Sequence, residues 1–138
     1  MNKKLAVLPL SALLLSVSAS VSAGMCCEPP PPRCDILFDT NNDQIRSSEK
    51  GEVAALAQRM VNEPQLKITL EGHADERSNP EYNLDLALRR AWHTKRALVA
   101  QGAGDNMIHI ETYGEEAPLA SGSGEPVWQK NRCVNIVE

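Results

Sequence analysis

The stretch that decides the fold runs from Gly72 to Ala91 and reads Gly-His-Ala-Asp-Glu-Arg-Ser-Asn-Pro-Glu-Tyr-Asn-Leu-Asp-Leu-Ala-Leu-Arg-Arg-Ala. Before it, apolar and polar residues alternate over 66–71, a pattern typical of a strand with one buried face. Within it, Asn79 and Pro80 predict a helix start, because Asn can cap free amides and Pro lacks the amide that a first turn leaves unbonded. A short polar segment therefore connects a strand to a helix.

Polar side chains in this connection predict a ligand site, since free helix amides and loop side chains converge at the edge of a sheet. The connection contributes Asp75, Glu76 and Arg77. The helix adds one face defined by its spacing, made of Asn83, Leu86, Ala87 and Arg90. Arg90 is suited to bind a carboxylate and Asp75 to hold an ammonium group, which together suit a zwitterionic ligand. A surface salt bridge is the alternative that the spacing leaves open.

Further motifs stand in order along the chain. They are Gly72–Arg77, Pro80–Asn83, Arg89–Ala91, Tyr113–Glu115 with Pro118, and Asn131–Arg132. Together they resemble the OmpA-like peptidoglycan-binding domain family, most closely its peptidoglycan-associated lipoprotein group, from about Cys34 to the C-terminus. The resemblance implies a noncovalent ligand, meso-diaminopimelate, held by an Asp and an Arg. The expected ligand-binding residues are Phe38, Asp39, Asp75, Glu76, Arg77, Asn83, Leu86 and Arg90.

The resemblance also implies partners and a location. Peptidoglycan is the expected ligand, in the outer membrane or periplasm of a Gram-negative envelope, and periplasmic proteins of a Tol system are a second kind of partner on an overlapping surface. Three positions depart from the family pattern: Ser78 replaces a Gly, Ala87 replaces a Ser, and Cys133 replaces a second Arg. Because Arg90 lies off the apolar stripe of its helix, its replacement by Ala is expected to leave folding largely intact.

The start of the chain predicts export. Residues 1–23 carry two lysines, an apolar run and small residues, as a signal peptide does, and the run is too short to span a membrane. Residues 24–33 form a Cys- and Pro-rich spacer, and residues 34–138 form one domain. The formal charge of the whole chain is −4, and it becomes more negative without the signal lysines. Nucleic acid is therefore disfavoured as a partner.

Four cysteines in an exported chain permit disulfide bonds, in three complete pairings. Cys26 is a candidate for lipid attachment and hence for association with the outer membrane, but cleavage after Ala23 fits better because bulky Met25 precedes Cys26. In the family's sheet the last strand runs antiparallel beside the first, which sets Cys34 against the far end of that strand. A bond between Cys34 and Cys133 is therefore not expected.

The remaining patterns predict an α+β fold, a two-layer sandwich in the order βαβαββ with the helices on one face of a mixed four-stranded sheet. Ser47 or Ser48 is expected to cap the first helix, and Gly102 to end the second. The second helix is expected to face the core with Leu84, Leu88, Ala91 and Leu98. The segment 115–129 is predicted to be a long surface loop with Trp128 against the domain.

No catalytic, metal or cofactor site is expected. A calcium loop at 39–50 fails, because Gln44 stands where a Gly is needed and Lys50 where a Glu belongs, so a turn stabilised by Asn and Asp side chains is favoured. His73 beside Asp75 could act as a base, but a His at a strand end usually bonds the backbone. A binding module is therefore predicted, with a Tol-type interaction module and a wall hydrolase as alternatives.

Overall fold

The computed structural model describes residues 34–138, so the predictions for the signal peptide, the spacer, Cys26 and Cys27 lie outside the described residues. The elements are strand β1 (Ile36–Leu37), helix α1 (Lys50–Asn62), strand β2 (Ile68–His73), helix α2 (Pro80–Ala100), a 3-10 turn (Asp105–Met107), strand β3 (Ile108–Gly114), helix α3 (Glu125–Asn131) and strand β4 (Cys133–Val137). In this part of the chain no helix combines the length and the apolar character that crossing a membrane requires.

The four strands form one mixed sheet in the order β1-β4-β2-β3. β2 and β3 are parallel and are connected by α2, whereas β4 runs antiparallel to both of its neighbours. Helices α1 and α2 share a core with Ile68 and Leu70 on one face of the sheet, while Glu71 faces the other side and accepts a hydrogen bond from Asn135. The predicted α+β fold is therefore confirmed.

The ends of α2 follow the predicted signals. Asn79 caps the helix by accepting a hydrogen bond from the amide of Glu81 at 2.8 Å, and Pro80 is the first helical residue. Gly102 follows the last turn with a φ of +106°, a left-handed conformation that favours Gly. The cap predicted for α1 is wrong, because Glu49 precedes the helix and makes no side-chain cap hydrogen bond.

The buried face of α2 differs in part from the prediction. Ala91 and Leu98 are buried as expected, but Leu84 is 41% exposed and Leu88 is half-buried. The face that packs on the sheet is instead the one that carries Asn83, Leu86, Ala87 and Arg90. The residues predicted to form a ligand-facing side of the helix therefore also lie against the domain.

Two glycines, one in β2 and one in β3, explain why this face of α2 packs on the sheet, because they let the helix backbone approach the strands. A Cβ atom at Gly72 would overlap the carbonyl group of Ala87. At Gly114, where φ is +55°, a Cβ atom would lie 3.1 Å from the backbone of Leu84. Since the backbone of Leu84 lies against the end of β3, its side chain remains exposed.

Cys34 and Cys133 form a disulfide bond with their Cα atoms 5.7 Å apart, so the prediction that they do not pair is wrong. The antiparallel arrangement behind that prediction is correct, since Leu37 lies opposite Cys133. The error lies in the length of β1, which begins only at Ile36. Cys34 precedes the first paired residue of β1, so strand pairing does not hold it opposite the far end of β4. Its side chain can therefore bond Cys133 at the start of β4.

The segment predicted to be a long loop contains helix α3. Asn131, the last residue of α3, anchors the helix, because its side chain bonds both the backbone amide and the carbonyl of Ala120, at 2.8 and 3.0 Å. Trp128 is half-buried, in agreement with its predicted position. A seven-residue helix that follows Gly124 and contains Pro126 has too few turns to show apolar periodicity, which is why the sequence pattern did not predict it.

Candidate ligand-binding site

A cavity of about 150 Å³ opens where the β2–α2 connection, the β1–α1 loop and α2 meet. Its lining residues are Thr40, Asn41, Asp75, Arg77, Ser78, Asn83, Leu86 and Arg90. The connection folds back beside α2, so that Asp75 and Arg90 share one cavity although they are far apart along the chain. Five of the eight residues predicted from the sequence lie in this lining.

Asp75 is 8% exposed, and two arginines hold its carboxylate. Arg77 donates from its backbone amide to Oδ1 at 3.2 Å and from Nη2 to Oδ2 at 2.7 Å. Arg132 donates from Nη1 to Oδ2 at 3.3 Å. Burial by itself raises the pKa of Asp75, but the hydrogen bonds from Arg77 and Arg132 outweigh it and lower that pKa below 3.8. Asp75 is therefore charged at neutral pH.

Arg90 is the largest fully buried side chain among the described residues. Its guanidinium donates to three backbone carbonyls: Nε to Asn42 at 2.9 Å, Nη1 to His73 at 3.1 Å and Nη2 to Asp39 at 3.1 Å. The expectation that Arg90 is dispensable for folding is therefore wrong, because it joins the β1–α1 loop to the end of β2. A buried charge of this kind cannot be inferred from apolar spacing alone.

Arg90 also keeps donor capacity for a ligand. A guanidinium has five N–H groups, and the contacts within residues 34–138 engage one each on Nε, Nη1 and Nη2. One N–H therefore remains on each terminal nitrogen, which suits a carboxylate. Burial lowers the pKa of Arg90 to about 10 although the charge of Asp75 opposes this, so Arg90 remains protonated at neutral pH.

The rest of the cavity wall is fixed by short contacts. Asn83 is buried and donates to the carbonyl of Ser78 at 3.2 Å and to the carboxylate of Glu115 at 2.6 Å. Leu86 is 5% exposed and provides the apolar part of the wall. The hydroxyl of Tyr82, in α2, bonds the side chain of Asn41 and so joins the β1–α1 loop to the helix. The cavity walls are therefore held in place by hydrogen bonds from several segments.

Three predicted residues lie outside the lining. Phe38 is buried, with its ring centroid 5.3 Å from the guanidinium carbon of Arg90. Asp39 contributes its carbonyl to Arg90, while its carboxylate pairs with Arg46 at 2.7 Å. Glu76 accepts a hydrogen bond from Trp128 and lines a neighbouring cavity of about 220 Å³ instead. Phe38 and Asp39 therefore contact Arg90 without lining the cavity, and Glu76 belongs to the neighbouring cavity.

Sequence reasoning missed several residues around Asp75. Arg132 is 3% exposed and joins Asp75 to Glu125, whose Oε1 lies 2.5 Å from Nη2 of Arg132. The other oxygen of Glu125 lies 3.6 Å from Nη1 of Arg77. The Asn131–Arg132 motif pointed to this region, but nothing in the pattern showed that Arg132 reaches Asp75 or that α3 supplies Glu125.

Two alternatives raised by the sequence are resolved by contacts. The side chain of Asn42 accepts a hydrogen bond from the amide of Gln44 at 2.9 Å, so the predicted Asn-stabilised turn is confirmed. His73 is 2% exposed and its Nδ1 lies 3.0 Å from the carbonyl of Ala117, so it bonds the backbone as expected for a His at a strand end. Chemically, the cavity offers a carboxylate and a guanidinium to a ligand that carries both charges.

Comparisons with known proteins identify the family of the domain. A sequence profile of the OmpA family matches residues 37–132. The peptidoglycan-associated lipoprotein of Rhizobium meliloti is 40% identical over 97 residues, which are 70% of this chain and 55% of that protein. The protein of the same name from Brucella melitensis is 39% identical over 97 residues, 70% of this chain and 58% of that protein. The chain thus spans little more than half the length of these relatives.

Solved structures show the same fold. The crystal structure of the peptidoglycan-associated lipoprotein from Burkholderia pseudomallei has a TM-score of 0.73 and 33% identity, and the match covers 80% of this chain and 95% of that one. The C-terminal domain of Helicobacter pylori MotB has a TM-score of 0.69 at 21% identity, covering 74% of this chain and 81% of that one. The second match concerns the fold alone.

Proposed function

Because the chain belongs to the OmpA family, we propose that its domain binds peptidoglycan noncovalently in the envelope of a Gram-negative cell. The observation that carries this proposal is the cavity in which the Asp75 carboxylate and the Arg90 guanidinium lie together. A zwitterionic amino acid of the stem peptide, of the diaminopimelate type, would place a carboxylate on Arg90 and an ammonium group on Asp75. The resemblance to the OmpA-like family implies the same ligand, meso-diaminopimelate.

The size of the cavity supports an amino acid as the bound group. Small-molecule sites usually measure about 300–1,000 Å³, and this cavity measures about 150 Å³. It therefore accepts one end of a side chain rather than a disaccharide, and the remaining polymer extends into solvent. The high density of stem peptides on one sacculus would raise the bound fraction by mass action.

Sedimentation with purified sacculi tests the proposal. Asp75→Asn removes the charge expected to hold the ammonium group while keeping the shape, and Arg90→Lys keeps a cation at the buried position. Both are expected to lower the bound fraction strongly, and Asp105→Asn, which changes an exposed acid in the 3-10 turn before β3, is expected to bind like the wild type. Circular dichroism checks folding. Wild-type binding by folded Asp75→Asn would refute the proposal.

A Tol-type protein partner is the second candidate. It is favoured by Tyr82, which is 38% exposed in the first turn of α2 and bonds Asn41 of the cavity lining. Incubation of the purified domain with sacculi and, separately, with a periplasmic Tol-system protein separates the two functions.

Release of soluble wall fragments in the incubation with sacculi would instead indicate hydrolysis. The intact mass of the exported protein would show whether Cys26 carries lipid.

A further inference from the structure

The contacts of Arg77 and Asp75 raise a question about how a ligand could reach the acid. Arg77 already bonds the carboxylate twice, through its backbone amide and through Nη2, and Arg132 bonds the same Oδ2 from the buried side. A ligand ammonium group needs an acceptor position on Asp75. These contacts use three of the about four acceptor positions of the carboxylate and place two guanidinium charges beside it, so an ammonium group that binds there is repelled unless one guanidinium moves away.

Burial decides which arginine leaves. The side chain of Arg132 is 4% exposed and is enclosed between Asp75 and Glu125. The side chain of Arg77 is 31% exposed and lies on the solvent side of the cavity, which it lines. Moving the buried guanidinium of Arg132 would remove a charged partner from both Asp75 and Glu125 at a site closed to water, whereas the exposed guanidinium of Arg77 can move into water. Arg77 is therefore the displaceable cation.

Arg77 also has a second position close at hand. Its guanidinium carbon lies 4.6 Å from the ring centroid of Trp128, and its Nη1 lies 3.6 Å from the carboxylate of Glu125. Both partners belong to α3. A small rotation of the side chain exchanges the Asp75 contact for a closer contact with Glu125 while the stacking on Trp128 is kept.

We propose that Arg77 is a built-in counter-ion that a cationic ligand group displaces from Asp75, and that Glu125 and Trp128 of α3 receive it. This inference rests on the proposed function and deepens it, because it makes α3 part of the binding mechanism. In this mechanism Arg132 is a positioning residue that keeps Asp75 in place throughout. Arg77 competes with the ligand, in contrast to its prediction from the sequence as a residue that binds it.

The sign of a mutational effect tests the exchange. Arg77→Met removes the charge but keeps a long stem that can lie on Trp128, so binding of meso-diaminopimelate and of sacculi is expected to be about three- to tenfold tighter than in the wild type. Arg77→Lys keeps a competing cation and is expected not to show the gain in affinity of Arg77→Met. Arg96→Met, which removes an exposed cation of α2 outside the cavity lining, controls for net charge and is expected to change nothing.

A double-mutant cycle tests the receiving position. Glu125→Gln is expected to weaken binding in the wild type, but to weaken it less in the Arg77→Met background, where no guanidinium needs a new partner. The loss of the Arg132 contact is common to both backgrounds and cancels. Equal penalties in the two backgrounds would contradict the role assigned to α3.

The binding results separate a failure of the proposed function from a failure of the exchange. If the folded wild type and Arg77→Met both fail to bind sacculi and meso-diaminopimelate, the proposed function itself is refuted. If the wild type binds and Arg77→Met binds equally or more weakly, the function stands and the exchange is refuted, because Arg77 then contacts the ligand or is indifferent to it.

Discussion

At the scale of single residues, Arg90 is the side chain on which both fold and site depend. Its guanidinium bonds carbonyls of Asp39, Asn42 and His73, which belong to two segments that are otherwise separate. Arg90→Ala would leave these carbonyls without their donor, and we expect the free energy of unfolding to fall by about 3–5 kcal/mol. Urea denaturation measures the loss.

The neighbouring arginine provides a matched control for this prediction. Arg89 pairs with Asp43 and Asp85 at the surface, and its side chain is 39% exposed. Arg89→Ala is therefore expected to cost at most about 1 kcal/mol. Equal stability of Arg90→Ala and Arg89→Ala would contradict the structural role of Arg90.

His73 predicts a dependence of stability on pH. Its Nδ1 faces the carbonyl of Ala117 and so carries the proton, while its buried Nε2 has no partner among the described residues. Burial lowers the pKa of His73 below 6.5, against the raising effects of that carbonyl and of Glu71. The other groups around it are Tyr113, stacked on its ring, and Arg90, bonded to its carbonyl.

The sign follows from the lowered pKa. The unfolded chain binds a proton at His73 more readily than the folded chain, so the free energy of unfolding decreases as the pH falls below about 6.5 and through the folded pKa. Urea midpoints measured between pH 7.5 and pH 5 are expected to fall more for the wild type than for His73→Asn, whose amide can keep the bond to Ala117. Parallel pH profiles would show that His73 does not titrate differently in the two states.

At the scale of elements, the packing of α2 on the sheet depends on the absence of a side chain at Gly72. A Cβ atom there would overlap the carbonyl group of Ala87, which is backbone and cannot move aside alone. Gly72→Ala is therefore expected to lower the free energy of unfolding by at least about 2 kcal/mol. It is also expected to weaken ligand binding, since α2 carries Asn83 and Arg90.

Gly51 is the control for this substitution, because it lies in α1 with no atom within 4 Å of a Cβ built on it. Gly51→Ala is expected to raise the free energy of unfolding by about 0.5–1 kcal/mol through helix propensity. Circular dichroism during urea denaturation gives both values. A Gly72→Ala variant as stable as the wild type would show that α2 can shift without cost.

Element boundaries show where sequence patterns suffice. The strand–connection–helix unit around Gly72 was predictable because alternation, Asn79 and Pro80 are local signals that the tertiary fold does not oppose. Helix α3 and the shortness of β1 were not predictable, since both depend on distant contacts such as Asn131 with Ala120 and Cys34 with Cys133. In the site, Asp75 and Arg90 were predictable, whereas the support from Arg132 and Glu125 depends on how β4 and α3 meet the connection.

At the scale of the whole molecule, the disulfide bond joins the first described residue of the domain to its last strand. The bond spans 99 residues between Cys34 and Cys133. Closing a loop of that length reduces the entropy of the unfolded chain and is expected to contribute about 4 kcal/mol of stability, or less where the denatured state retains structure. The cross-link lies beside Arg132, so it also restrains the junction between α3 and β4 that carries this residue.

Cys34→Ser with Cys133→Ser is therefore expected to shift the urea midpoint of the oxidised protein downward, and reduction of the wild type is expected to give the same shift. Cys26→Ser with Cys27→Ser, in the predicted spacer, is the control and is expected to leave the midpoint unchanged. Identical midpoints for the oxidised wild type and the Cys34/Cys133 variant would contradict the contribution of this bond.

The measurement that tests the central claim most directly is an NMR titration of the labelled domain with free meso-diaminopimelate and with the same amino acid acetylated on both amines. We expect saturable shifts at Asp75, Asn83 and Arg90 with the free amino acid and much weaker ones with the acetylated form, because an amide has no charge to pair with Asp75. Equal shifts with both compounds, or shifts confined to another surface, would contradict the central claim.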